Sequence, residues 1–87
     1  MSVERRTPDE VDVAIGRRVR TRRRQLDMTL QQLAAKLGVG FRQLQKYETG
    51  VNKMSAGTLF QISIALGTQV DHFFQDLPDE RPKRKEG

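Results

Sequence analysis

The sequence predicts an all-α fold, a five-helix bundle whose second and third helices form a helix-turn-helix. Three observations carry that expectation. Apolar residues recur at i, i+3, i+4 and i+7 in successive segments, the spacing of one helix face. No segment shows the period-two alternation of a half-buried strand. Gly38, Gly40, Gly50, Gly67 and Pro78 fall between the periodic segments, where helices must stop or start. Eighty-seven residues allow one small domain with little core to spare.

Residues 1–10 read as a flexible N-terminal arm, residues 11–77 as the domain and residues 78–87 as a charged, proline-containing disordered tail. Asp9, Glu10 and Asp12 favour a helix start just past Pro8, because carboxylates suit a helix N-terminus. The first helix then runs to about Leu26, with Ile15, Val19 and Leu26 on one face. Arg17, Arg18, Arg20, Arg22, Arg23 and Arg24 crowd the same helix. Most are expected in solvent or aimed loosely at phosphates. Arg23 differs, because its spacing from Val19 and Leu26 puts it on the inward side.

Thr29 is a good N-cap for the second helix, which carries Leu30, Leu33, Ala34 and Leu37 as one stripe. Gly38 can take the positive φ that ends it. After Val39 alone, Gly40 can cap the third helix, with Phe41, Leu44 and Tyr47 apolar and Gly50 at its end. The loop Val51-Asn52-Lys53-Met54 leads to Ser55, the cap of the fourth helix. There Leu59, Ile62, Ala65 and Leu66 form the core stripe, while Phe60 and Ile64 make a second apolar face. Gly67 terminates it. A fifth helix is expected from Val70, Phe73, Phe74 and Leu77, with Pro78 as its stop.

The outward positions of the third helix are Arg42, Gln43, Gln45, Lys46 and Thr49. None is acidic, and the long ones can all hydrogen-bond a base edge or a phosphate. An arginine matches guanine O6/N7 bidentately, and a glutamine matches adenine N6/N7. Charge points the same way. The net charge is +5, yet residues 13–70 carry ten Lys/Arg against Asp27 and Glu48 alone, a balance of +8. The surplus therefore lies in the helical body, and a polyanion is the natural partner. Two helices, a very tight turn and a donor-rich outer face make the pattern of a reader of duplex DNA.

These features resemble the lambda-repressor/Cro-like (XRE-type) helix-turn-helix regulators. The matching residues are Ile15-Gly16, Arg23, Leu33-Ala34, Gly38-Val39, Glu48 and Gly50, then Ile62 with Ala65-Leu66-Gly67, spanning roughly residues 12–76. The string QKYETGVNKMS looks like a subgroup of bacterial regulators with a similar recognition-helix end and loop. The resemblance implies a sequence-specific transcriptional regulator, a repressor binding a two-fold operator as a homodimer. Family members usually carry Gln where Leu30 stands, and it touches a phosphate; here Thr29 or nearby backbone N–H groups must serve. Gly40 replaces a common Ser or Thr, and Met54 replaces the usual proline.

The site residues follow. Arg42, Gln43, Gln45 and Lys46 are the expected base contacts. Phe41 either touches a thymine methyl or stays in the core. Thr29, Tyr47, Asn52 and Lys53 are the expected phosphate contacts. Glu48 is the only acid between Met28 and Val70, near a helix C-terminus where a carboxylate is disfavoured. It needs a compensating partner, and inward-facing Arg23 is the candidate; the corresponding pair locks helix 1 to helix 3 in related domains. Phe60, Ile64, Phe73 and Phe74, with Val70 and Leu77, exceed what one small core requires, and a leftover apolar surface marks an interface. Phe60, Ile64, Phe73 and Phe74 are therefore the expected dimer contacts.

Other classes fare poorly. With no cysteine and a single histidine, His72, neither a zinc site nor a catalytic triad can be assembled. No enzyme activity, cofactor, metal or small-molecule ligand is expected. No apolar run approaches the roughly 20 residues that cross a membrane, and MSVERRTPDE lacks a signal-peptide core. A cytoplasmic location is expected. The alternatives are a controller of a restriction-modification or toxin–antitoxin operon, and a protein-interaction adaptor without specific DNA binding.

Overall fold

The computed structural model describes residues 8–78 and 81–82. Four α-helices, α1 (Pro8–Gln25), α2 (Leu30–Leu37), α3 (Phe41–Thr49) and α4 (Ala56–Ala65), are followed by a 3₁₀ turn, Val70–Phe74. No strand occurs among the described residues. The expectations for the outer arm and for most of the tail lie outside them.

Helix α1 begins at Pro8 itself. A proline fits the first helical position because its missing N–H would have had no partner there. The helix ends in a reversal through Asp27, which takes φ 56°. The Met28 N–H donates to the Arg23 carbonyl at 3.1 Å, and the Asp27 N–H to that of Arg24 at 3.0 Å. This Schellman-type closure turns the chain before Leu26 can continue the inward stripe. Leu26 is 42% exposed, so it is not the core residue its spacing suggested.

The next two helices start and stop as their residues dictate. Thr29 Oγ1 accepts from the Gln32 N–H, and Gln32 Oε1 accepts from the Thr29 N–H, a complete capping box. Gly38, at φ 72°, passes its own and the Val39 N–H to the last carbonyls of α2. Gly40 then starts α3 from an extended conformation with no side-chain cap. The resulting turn is short enough to hold α2 and α3 at a fixed angle.

Val19, Leu33, Ala34, Leu44, Leu59, Ile62, Leu66 and Phe73 form the buried core, drawn from every element. Two glycines let α1 approach α3 closely. A Cβ on Gly16 would lie 2.6 Å from the Glu48 carbonyl oxygen, and one on Gly50 would lie 2.6 Å from Val13 Cγ2. Gly50 also holds φ 82°, so both space and backbone conformation require glycine there.

The fifth helix is not formed. Five residues make a single 3₁₀ turn, and Leu77 continues only as a turn, bonding back to the Phe74 carbonyl at 3.1 Å. The segment is instead tied to α1. Arg18 Nε donates to the His72 carbonyl at 3.3 Å, and its Nη2 donates to Gln75 Oε1 at 2.6 Å. One turn further, Arg22 donates to the carbonyls of Leu66 and Gly67 at 3.0 and 3.3 Å, capping the end of α4. These two arginines staple the C-terminal segment to α1 and are not the loosely solvated residues expected. Phe73 is fully buried in the core, which removes it from the expected dimer surface. Its spacing matched the inward edge of that segment as well as the outward one.

Candidate nucleic-acid interface

Helix α3 presents the site, and a buried ion pair fixes its position. Arg23 Nε donates to Glu48 Oε2 at 2.7 Å and Nη2 to Oε1 at 3.0 Å, a bidentate fork between α1 and α3. Its Nη1 donates to the Met28 carbonyl at 2.8 Å, tying the same guanidinium to the segment entering α2. Only 10% and 4% of the two side chains remain exposed. The expected partner of Glu48 is thus in place, and it anchors α3 at the end away from its N-terminus.

With Leu44 and Glu48 inward and Tyr47 half-buried, the opposite face of α3 is open. Arg42, Gln45, Lys46 and Thr49 are exposed there, with no acid on that face. Thr49 Oγ1 is engaged by its own helix, donating to the Gln45 carbonyl at 3.0 Å. Gln43 is half-buried and lies one turn before Tyr47, at the edge of the face. Phe41 is 42% exposed at the helix start, which places it outside the core. The Arg42 guanidinium sits over the Phe41 ring, with Cζ 5.7 Å from the centroid.

Around this face the expected backbone-contacting groups divide. Thr29 is exposed, but its N–H and hydroxyl oxygen both serve the capping box, which leaves the Leu30 and Gln31 amides as unpaired helix-start donors. Asn52 is half-buried, and its backbone N–H bonds the Lys46 carbonyl at 3.2 Å. Lys53 lies 3.5 Å from Asp12 on α1 with its side chain 64% exposed, so its ammonium is loosely paired and still open to solvent. Arg20 lines a cleft of about 230 Å³ with Leu30, Gln45 and Thr49, adding a cation along one side of α3.

Electrostatics follow from these assignments. Arg18, Arg22 and Arg23 serve internal carbonyls and carboxylates, whereas the side chains of Arg17, Arg20, Arg24, Lys36, Arg42 and Lys46 make no hydrogen bond or ion pair among the described residues. Sequence reasoning missed the Arg18 and Arg22 staples, the Gln32 half of the capping box, and the Asp12–Lys53 pair. The Gln three residues after Thr29 was the one available signal. His72 packs edge-on against Phe73, with ring centroids 5.3 Å apart. Among the described residues no group of His, Cys, Asp and Glu could hold a metal, and no helix is long and apolar enough to cross a membrane.

Comparison with known proteins places this geometry in a family. A family model described as a helix-turn-helix matches residues 19–73. An uncharacterised HTH-type transcriptional regulator of Sinorhizobium fredii, y4aM, is 46% identical over 77 residues, covering 88% of this chain and 54% of the relative. The chain thus spans about half that relative's length. Among solved structures, the clp gene regulator ClgR of Corynebacterium glutamicum superposes with a TM-score of 0.73 at 28% identity, over 75% of this chain and 69% of that one. SinR, a master regulator for biofilm formation solved in complex with DNA, gives a TM-score of 0.64 at 28% identity, over 69% of this chain and 97% of its own. The buried Arg23–Glu48 lock, the Gly38 turn and this match agree, and the chain belongs to the XRE-type helix-turn-helix family.

Proposed function

We propose that the chain is a transcriptional regulator that binds duplex DNA sequence-specifically, with α3 in the major groove. It acts as a repressor, occupying a two-fold operator as a homodimer. The observation that carries this reading is the open, acid-free face of α3 bearing Arg42, Gln45 and Lys46, held rigid by the buried Arg23–Glu48 pair. A rigid mount matters because a bidentate base contact tolerates little misplacement.

In this reading Arg42, Gln45 and Lys46 meet base edges, with Gln43 and Phe41 at the borders of the contact. The Leu30 and Gln31 amides, Thr29, Tyr47, Asn52 and Lys53 hold the flanking phosphates and set the register. One short helix reads too few base pairs for useful discrimination, which favours two copies on a symmetric site. Phe60, Ile64 and Phe74, at 55%, 60% and 39% exposure, offer the apolar surface for that pairing. The name of the Sinorhizobium relative supports the regulatory role.

Selection of binding sites from random duplex DNA by the purified chain tests the proposal. The expected product is an inverted repeat whose half-sites lie about one helical turn, 10–10.5 base pairs, apart or a multiple of that. Recovery of no enriched sequence would contradict it.

A further inference from the structure

We propose that Phe41 and Arg42 act together as a reader of a C5-methylated pyrimidine followed by guanine. The inference rests on α3 being the DNA reader and names what its first turn recognises. Phe41 opens α3, stands 42% exposed and is not among the apolar residues packed against the core. Its exposed edge offers an apolar surface beside the outward face of α3 to a partner from outside the chain. Its one ring contact is Arg42, whose Cζ lies over it at 5.7 Å. The guanidinium has no hydrogen bond or ion pair among the described residues, so its donors are free beside the ring.

The duplex supplies the complement. An arginine that bonds guanine O6 and N7 lies in the plane of that base. The Phe41 ring beside that guanidinium then lies next to the adjacent base pair, which is one step of about 3.4 Å away. In a right-handed duplex the pyrimidine on the 5′ side directs its C5 edge towards the O6/N7 edge of the guanine. A methyl group at that C5 meets both the ring and the guanidinium face. Thymine and 5-methylcytosine carry the methyl, whereas cytosine and uracil do not. A phenyl ring forms no conventional hydrogen bond and is blind to the O4/N4 difference. Thymine–guanine and 5-methylcytosine–guanine steps are therefore equivalent to this pair, and binding responds to cytosine methylation there.

The test uses the purified full chain and its selected duplex, in four forms that differ at the pyrimidine 5′ of the guanine whose recognition depends on Arg42: thymine, deoxyuridine, cytosine and 5-methylcytosine. Thymine replaced by deoxyuridine deletes only the methyl, and the wild type is expected to lose about three- to fivefold in affinity, the effect of one buried methyl group. A cytosine–guanine variant should gain the same factor on 5-methylation. Phe41→Ala should bind all forms with a clearly smaller methyl effect, that of the Arg42 contact alone, with an unchanged melting temperature showing that the fold is intact. A wild type indifferent to the methyl, a methyl effect undiminished in Phe41→Ala, or a selected guanine with no 5′ pyrimidine overturns the proposal. In each of those cases, if Arg42→Ala still flattens the guanine preference, the reading of α3 stands. If Arg42→Ala leaves every base preference intact, both fall.

Discussion

Glu48 shows how a single residue can be read from its surroundings. It is the only acid between Met28 and Val70, and it sits where the helix field opposes it, so a compensating cation on the inward side was the economical solution. The structure supplies Arg23 in a two-point contact with both side chains nearly enclosed. Removing one partner leaves the other charge buried and unpaired. Glu48→Ala should therefore destabilise the fold by about 3–5 kcal/mol, while Arg23→Met with Glu48→Leu should recover much of the loss. Chemical denaturation of the single and double mutants measures both, and a negligible shift in midpoint for Glu48→Ala would show that the pair does not lock the helices. The other arginines of α1 were not legible in this way. Arg18 and Arg22 bond mainly to backbone carbonyls of distant segments, and no side chain in the sequence marks such an acceptor. Only the exposed face of α3 could be listed residue by residue, because its inward positions were already fixed by Leu44, Tyr47 and Glu48.

At the level of elements, caps and glycines carried most of the boundaries. Thr29, Gly38, Gly50 and Ser55 all sit at the helix ends their chemistry favours. The C-terminal segment failed for an instructive reason. Val70, Phe73, Phe74 and Leu77 have helical spacing, but spacing says nothing about how many turns tertiary bonding permits. Arg18 ties the segment to α1 through the His72 carbonyl, and the element is one 3₁₀ turn. The α1–α3 crossing was likewise hidden, since Gly16 inside a helix reads as a weak helix former until its neighbour is known. A methyl there would strike the Tyr47 and Glu48 carbonyls, which are backbone and cannot swing away. Gly16→Ala should cost about 1–3 kcal/mol or more by forcing the helices apart. Thermal unfolding checks this, and a wild-type melting temperature would mean the crossing is looser than described.

For the whole molecule, the proposed function raises the issue of how a small domain with one reading helix would reach operator specificity. The exposed Phe60, Ile64 and Phe74 favour two copies acting together, while Phe73 belongs to the core. Phe74→Glu should shift the chain towards monomer in sedimentation at micromolar concentration, and Phe73→Glu should unfold it. A wild type that stays monomeric both free and on a palindromic duplex would remove the dimer. The reading of bases by α3 is tested most directly by titrating Arg42→Ala and Lys53→Ala on a selected site and a scrambled duplex at several salt concentrations. Arg42→Ala is expected to lose roughly 1–3 kcal/mol per contact on the selected site and to flatten preference at one base pair, with little change on scrambled DNA. Lys53→Ala should weaken both duplexes alike and reduce the log–log salt slope by about 1 per phosphate contacted. If Arg42→Ala instead weakened both duplexes equally and left base preference intact, α3 would not be the reader.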